Sequence, residues 1–374
     1  MSVGIIGTPG RVFGLSTKSF EQVFSEAGGN TGNLLFQYAS SKMFLGKRSF
    51  FNWDTDPNLI NKSCKVLILP LANQIGTHTD YARRAEMISK IEIPIIALGL
   101  GAQNHTMTPE SVKVLSDKIT LGTQHWLEEI SQRTSKILVR GDYTVSVCNE
   151  LGISNVESFG CPSNLISKKI RLGRAIESQL ENVNCKSIIL NGGFYNKGKS
   201  NYDRIVALER KVIKDAAIDD CSIVVQAPKD IMSYSYSGGG YNDRVDDVSE
   251  GLLQRARLDS FYDVDSWSHH TRNFDLSIGT RIHGAMLSLQ FGHPTVLITH
   301  DSRTNELSDI MCLPRMSLND ALKCDTVNQM IENVNFSADE YDFRRFEMAQ
   351  QLNDVFQDAG LTVAPHIKTL YSQL

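Results

Sequence analysis

Ser277-Ile-Gly-Thr-Arg-Ile-His-Gly-Ala-Met-Leu-Ser-Leu-Gln-Phe-Gly292 is the stretch against which the rest of the chain is read. Phe274 to Ile278 reads as the end of a buried strand, and Gly279-Thr280 as a tight turn. From Ile282 the apolar residues Met286, Leu289 and Phe291 recur at helical spacing. Gly292, followed by Pro294, stops that helix. Arg281 and His283 therefore fall at a strand-to-helix corner. Open α/β sheets place ligands at such corners, outside the carboxyl ends of the strands. A helix start also presents free N–H groups and a positive dipole end, both of which favour anions. An Arg and a His there make an anion site with a proton donor beside it. The plainer alternative is a surface Arg next to a helix-start His with no chemistry.

With 374 residues, the chain exceeds one ordinary core and points to more than one domain. A net charge of −4 argues against a nucleic-acid binder driven by bulk charge, so an anionic ligand must be met by local arginines. The seven cysteines are scattered without a Cys-x-x-Cys pair, which predicts reduced thiols in a cytoplasmic protein. Met1 to Gly10 lacks the charged start and apolar run of a signal peptide. The longest apolar runs, Val66 to Ala72 and Ile93 to Leu100, are far short of the roughly 20 residues of a membrane span. They have the length of buried strands.

Taken in order, the chain alternates strand and helix in two blocks. In the first 30 residues the only strand assigned is Gln22 to Ser25. Gly28-Gly-Asn30-Thr-Gly32-Asn33 then opens a helix through Leu34, Leu35, Tyr38 and Met43. Such a loop lets a ligand approach the backbone, or it is an ordinary Asn-capped helix start. Val66 to Pro70 is a strand, and Pro94 to Leu98 is another, running into Gly99-Leu-Gly-Ala-Gln103-Asn104-His105. Asn104 stands where a dinucleotide fingerprint needs its third glycine, so that motif fails. Gln103 and His105 would still project at the strand's carboxyl end. Lys136 to Arg140 is a strand ending in a candidate phosphate or carboxylate anchor, unless Arg140 simply pairs with Asp142, read as the cap of the next helix. Val156 to Phe159 leads into Gly160-Cys-Pro-Ser163.

A weakly patterned basic stretch, Ser167 to Arg174, marks the domain boundary. This gives a first domain over residues 1–170, a second over 171–335 and a C-terminal helix over 336–374. The second block has strands at Ser187 to Leu190, Ser222 to Gln226 and Phe261 to Val264, with helices around Arg204 to Ala216 and Asp246 to Leu258. Ser233 to Tyr241 has the composition of a mobile loop, a lid or a plain excursion. After the opening stretch, Thr295 to Thr299 is a strand whose end presents Asp301 and Arg303. Ser337-x-x-Glu340 starts the last helix, whose Phe346, Ala349, Leu352 and Phe356 make one packing stripe. The adjacent His269 and His270 lack further ligands nearby, and no metal site is read. Doubled strand–helix alternation implies an α/β protein of two Rossmann-like parallel-sheet domains with a cleft between their carboxyl-end faces.

Six of these motifs, in this order, resemble the polysaccharide pyruvyltransferase family. They are Asn30-Thr-Gly-Asn33, Gly99-Leu-Gly-Ala-Gln103, Val139-Arg-Gly-Asp142, Gly160-Cys-Pro-Ser163, Gly279-Thr-Arg-Ile-His-Gly284 and Thr299-His-Asp-Ser-Arg303. The resemblance spans about residues 28 to 313. It implies a glycosyltransferase-B-like fold and transfer of pyruvate from phosphoenolpyruvate to a sugar of a surface or exported polysaccharide, as a cyclic ketal. It also implies substrate contacts from Asn30, Gly32, Asn33, Gln103, His105, Ser163 and Asp301. The chain departs from the family pattern in three places. Gly141 separates Arg140 from Asp142 where members often have Arg-Asp, Arg303 replaces a frequent Lys, and Asn33 replaces a frequent Asp.

That chemistry asks for fixed cations on a phosphate and a carboxylate, and Arg140, Arg281 and Arg303 supply them. The enol ether must be protonated at its methylene carbon, two sugar hydroxyls add in turn, and phosphate leaves. His283 is the candidate for the proton traffic. A helix start disfavours its charged form, and a bound dianionic phosphate would restore it. No cofactor or metal is needed beyond phosphoenolpyruvate as donor substrate. The expected partners are that donor and a sugar or glycan acceptor, free or lipid-linked. No nucleic acid is expected, and oligomeric state is left open. The expected location is the cytoplasm or the inner face of a membrane. The rivals are a nucleotide-sugar glycosyltransferase on the same fold, with Glu306 as its ribose carboxylate, and a non-catalytic sugar- or phosphate-binding protein.

Overall fold

Apolar runs bounded by glycine and proline become two parallel sheets in the computed structural model, which describes residues 1–77, 79–104, 106–192, 201–216, 221–227, 229–237 and 257–374. The first sheet uses β1 (Ser2–Ile6), β2 (Arg48–Phe51), β3 (Cys64–Pro70), β4 (Asn73–Ile75), β5 (Ile95–Ala102), β6 (Ile137–Val139) and β7 (Val156–Ser158). Its order is β2-β1-β3-β5-β6-β7, with β4 paired to β5. The second uses β8 (Ile188–Asn191), β9 (Cys221–Val224), β10 (Arg257–Asp259), β11 (Leu276–Gly279), β12 (Thr295–Thr299) and β13 (Arg315–Ser317). Its order is β10-β9-β8-β11-β12-β13, the doubly wound order, with the direction of winding reversing between β8 and β11. Every pairing is parallel. Continuous apolar runs are what parallel strands covered on both faces require, and β5 is buried along its whole length.

One apolar core runs from Val3 and Ile5 through Leu276 and Val296 to Phe346 and Phe356. A second core lies under the other face of the first sheet, around Leu67, Leu69, Ile95 and Trp126. The two sheets are stitched by chain exchange. Residues near the start cross to the second sheet's side, where Val12 N donates to the Tyr262 carbonyl at 2.9 Å and Thr31 N to that of Gln226 at 3.2 Å. The C-terminal segment returns to the first unit, where Ala364 N donates to Met43 O at 2.7 Å.

The stretch Ser167 to Arg174 between the sheets is tied down largely from the long helix Ala338–Asp358. Arg345, fully buried on the long helix Ala338–Asp358, donates to the carbonyls of Asn164, Ser167 and Lys169. Asp342, one turn earlier, accepts from Gly173 N at 2.7 Å. No described helix is long and apolar enough to cross a membrane.

Several local expectations are corrected. Ser2–Ile6 is a strand, and Gln22 to Ser25 lies in a helix, Phe20–Glu26, opened by a Ser19–Gln22 capping box. Three apolar residues in the five of β1 sit among glycines, too short a run for a pattern to emerge. The edge strand of the second sheet is Arg257–Asp259 rather than Phe261 to Val264; Val264 begins a helix capped by Asp263. Ser233 to Ser237 continue the helix Lys229–Ser237. Residues 238–241 and most of the helix expected from Asp246 lie outside the described residues. Strand β5 runs through Gly99 and Gly101 instead of ending before them.

Candidate active site between the two sheets

Three strand ends bring arginines to one place. Arg140 follows β6, Arg281 follows β11, and Arg303 lies on the first turn of the helix Ser302–Ile310 that follows β12. All three line a cavity of about 430 Å³ between the sheets. His283, Asp301, Asn30, Asn33 and Gln103 line it too. Eight of the sequence-derived candidates therefore meet in one space.

Arg140 is buried because a glycine lets it pass. A Cβ on Gly101 would meet Asn73 Oδ1 and, 2.7 Å away, Arg140 Cδ. The guanidinium donates to Gly99 O at 3.0 Å and to Asn73 Oδ1 at 2.8 Å. Among the described residues it makes no ion pair, so the expected alternative of pairing with Asp142 does not arise. Arg281 caps the helix Ile282–Gln290 and donates from Nη2 to Ala227 O at 3.2 Å. Its backbone is drawn in because Gly279, at φ 149°, packs on the Asn191 backbone, where a side chain would collide.

Arg303 is committed to Asp301, with Nη2 2.6 Å and Nε 3.1 Å from Oδ2. Asp301 also caps the helix Ser302–Ile310 through Thr304 N at 2.8 Å. Burial pushes its carboxyl up, but Arg303, His300 and the Thr304 amide outweigh this and hold it below the usual range.

His283 sits on the first turn of its helix, against the Phe36 ring at 5.6 Å and with Nε2 3.8 Å from Cys161 Sγ. Burial, and then the charge of Arg140, push its pKa down to about 3. The imidazole is neutral when the cleft is empty. Gly32 runs directly beneath it, where a Cβ would lie 3.1 Å from His283 Cβ. Asn30 holds that turn by accepting from Gly32 N at 2.8 Å. Asn33 donates to the carbonyls of Ala27 and Gly28, at 3.3 and 3.1 Å. A carboxylate at position 33 could not make those bonds, which gives a local reason for Asn there.

One candidate falls elsewhere, and another is not described. Ser163 is fully buried, its hydroxyl between Cys161 Sγ at 2.9 Å and Met286 Sδ at 3.4 Å, and it does not line the cavity. His105 lies outside the described residues. Sequence reasoning passed over Asn73, Gln226 and His300, which do line the cavity. Gln226 and His300 had a usable signal, since each is the polar residue closing a buried strand run, as Arg140 is. Gln226 is buried, and its Nε2 has no hydrogen-bond partner among the described residues.

Glu306 takes a structural position. Its carboxylate reaches from the second sheet's side to the first, accepting from Tyr143 N at 3.0 Å at the start of the helix Asp142–Glu150. Gly141 makes room, because a Cβ there would strike Glu306 Oε1. The inserted glycine between Arg140 and Asp142 thus serves a contact between the two units. Asp142 is the first helical residue, not the cap.

The architecture is that of two Rossmann-like sheets whose strand ends face a cleft, and several known structures share a similar chain path at low sequence identity. One is a UDP-GlcNAc 2-epimerase of Methanocaldococcus jannaschii with UDP-GlcNAc and UDP, at 11% identity, 94% of this chain, 100% of that chain and TM-score 0.44. Another is MnaA of S. aureus with UDP, at 11% identity, 94% and 97% coverage and TM-score 0.43. A third is the wall teichoic acid polymerase TagF, at 9% identity, 96% and 90% coverage and TM-score 0.38. No curated protein is detectably similar in sequence. The family model for polysaccharide pyruvyl transferase matches residues 30–302, from the loop at Asn30 to the start of the helix at Ser302. With that span running through both sheets and most of the cleft lining, the chain belongs to the polysaccharide pyruvyl transferase family.

Proposed function

We propose that the cleft transfers pyruvate from phosphoenolpyruvate to a sugar of a surface or exported polysaccharide, or its precursor, as a cyclic ketal. The observation that carries this reading is the meeting of Arg140, Arg281 and Arg303 with His283 in one cavity. A donor with a phosphate and a carboxylate needs cations fixed from several directions, and guanidinium groups bind both anions in forks. Arg140, in the reading, takes one anion from the first sheet's side, and Arg281 and Arg303 take the other from the second's. His283 is the proton carrier for the methylene carbon. It is neutral when the site is empty and gains basicity when an anion arrives beside Arg140. The amides of Asn30, Asn33, Gln103 and Gln226 offer hydrogen bonds to sugar hydroxyls without charge.

The glycosyltransferase reading asks for a carboxylate on the ribose and offered Glu306 as a candidate. That carboxylate is instead engaged on the Tyr143 amide and does not line the cavity. A phosphate-release assay with phosphoenolpyruvate across a panel of sugar acceptors is the test. Release that requires an acceptor, with a ketal product, supports the proposal. Turnover of a nucleotide sugar in its place would favour the glycosyltransferase, and binding without release the non-catalytic protein.

A further inference from the structure

The cleft contains a second histidine that the proposed reaction has not used. His300 closes β12, its side chain is 8% exposed, and it lines the same cavity as His283. Its Nε2 lies 3.7 Å from Asp301 Oδ2. The charges around the two histidines differ. Arg140 acts on His283, whereas Asp301, Arg281 and Arg303 act on His300. Arg140 reaches the cavity from the first sheet and bears on His283, while Arg281 and Arg303 reach it from the second and bear on His300; Arg140 and Arg303 are near enough to repel each other.

We infer that His300, held against Asp301, is a second catalytic proton carrier, which protonates the departing phosphate and then accepts the proton of the second acceptor hydroxyl. This rests on the reading of the cleft as a site of pyruvyl transfer from phosphoenolpyruvate. The donor's phosphate, with three oxygens to bind, matches the two guanidinium groups of Arg281 and Arg303, and its carboxylate matches Arg140. All three substituents branch from C2, so His283 faces the methylene side and His300 the phosphate side.

The reaction runs through two successive proton cycles, and the cavity offers a histidine for each. His283 protonates the methylene carbon, the first hydroxyl oxygen bonds to C2, and its proton restores His283. The resulting hemiketal phosphate must then lose phosphate. The C2–O bond breaks with its electron pair going to the phosphate oxygen, and protonated His300 supplies the proton that lets monohydrogen phosphate leave. The second hydroxyl oxygen bonds to the cationic C2, and its proton restores His300. No outside acid, base or oxidant is consumed.

Burial lowers the pKa of His300, and Arg281 and Arg303 lower it further, while Asp301 raises it. Asp301 thus keeps the imidazole protonatable among cations. Bound phosphate adds to that effect.

The test uses parent, His300→Gln and His283→Gln in D₂O, with phosphoenolpyruvate and a panel of methyl hexopyranosides. A carrier of this kind is worth about 10²–10⁴-fold in rate. His300→Gln is therefore expected to lose phosphate release by that factor. It should still wash deuterium into the vinyl position of recovered phosphoenolpyruvate within about tenfold of the parent rate, because the first step survives. His283→Gln should lose both. His300→Gln releasing phosphate at the parent rate overturns the inference, as does equal loss of release and exchange in a variant whose melting temperature still rises with phosphoenolpyruvate. Should His300→Gln not fold, Asp301→Asn decides. Asn preserves the helix cap, but the lost charge lowers the His300 pKa, so the basic limb of phosphate release moves to lower pH. An unmoved limb overturns the inference. A parent that releases no phosphate with any of these glycosides contradicts the underlying reading, a failure distinct from one confined to His300.

Discussion

His283 is uncharged in the empty cleft because burial and Arg140 both penalise the imidazolium, and this sets how the site responds to pH. Its pKa of about 3 stands against an ordinary 6.5. An anion bound beside Arg140 raises that value, so between the two values binding draws a proton onto the ring. Calorimetry of phosphoenolpyruvate binding near pH 6, in buffers of different ionisation enthalpy, should show proton uptake. His283→Gln should abolish part of it, and buffer-independent heat in the parent would contradict the assignment. The same depressed pKa affects stability. Below an ordinary histidine pKa the unfolded chain binds the proton first, so the empty protein should lose stability as pH falls from about 7 toward 4, by up to about 1.4 kcal/mol per pH unit per histidine. His293, lowered to about 4 by burial, adds to this in the same direction. Urea midpoints measured across that range test the sign. A flat profile would mean that neither histidine is buried neutral.

Among the secondary-structure elements, a strand and a helix hold the site in place. Strand β5 accepts the Arg140 stem across Gly101, so Gly101→Ala should push the guanidinium off Asn73 and Gly99. The expected result is at least a tenfold loss of phosphoenolpyruvate affinity with about 1–3 kcal/mol of destabilisation from overpacking. Unchanged affinity would show that the position of Arg140 does not matter. The Ala338–Asp358 helix holds the inter-sheet stretch through Arg345. Arg345→Met takes the donor from four carbonyls, those of Asn164, Ser167, Lys169 and Ile170, and the nearby cation from the buried Asp342. It should cost about 3–5 kcal/mol in urea unfolding; a cost near zero would make the contact ornamental. The same elements show how far the sequence could be read. Arg140 at a strand end was legible, because a charged residue seldom closes an apolar run unless a partner or ligand meets it there. The role of Gly101 was not legible, because it depends on a side chain 39 positions away that only strand pairing brings across. Glu306 was misread for the same reason, since its partner is the Tyr143 amide, 163 residues earlier. Ser163 was expected to touch substrate from the family resemblance, yet the helix carrying Met286 packs over it.

In the molecule as a whole, the doubled strand–helix rhythm was enough to foretell two parallel sheets. How they are joined was not foreseeable, because the first residues and the last segment each cross to the other unit through backbone bonds that no periodicity records. That crossing places Asn30 and Gly32 against His283, so the cleft is built from both units and from both ends of the matched region. Whether this shared cleft is a phosphoenolpyruvate site is decided by calorimetric titration of the parent and of Arg281→Ala with phosphoenolpyruvate, with UDP as the competing ligand. Phosphoenolpyruvate should bind the parent saturably and Arg281→Ala about 10- to 150-fold more weakly, since removing a charged hydrogen-bond partner costs about 1.5–3 kcal/mol. The empty variant should keep the parent's unfolding midpoint, and UDP should not displace phosphoenolpyruvate. Equal affinity in parent and variant, or a parent that binds UDP and not phosphoenolpyruvate, would contradict the assignment of the cleft.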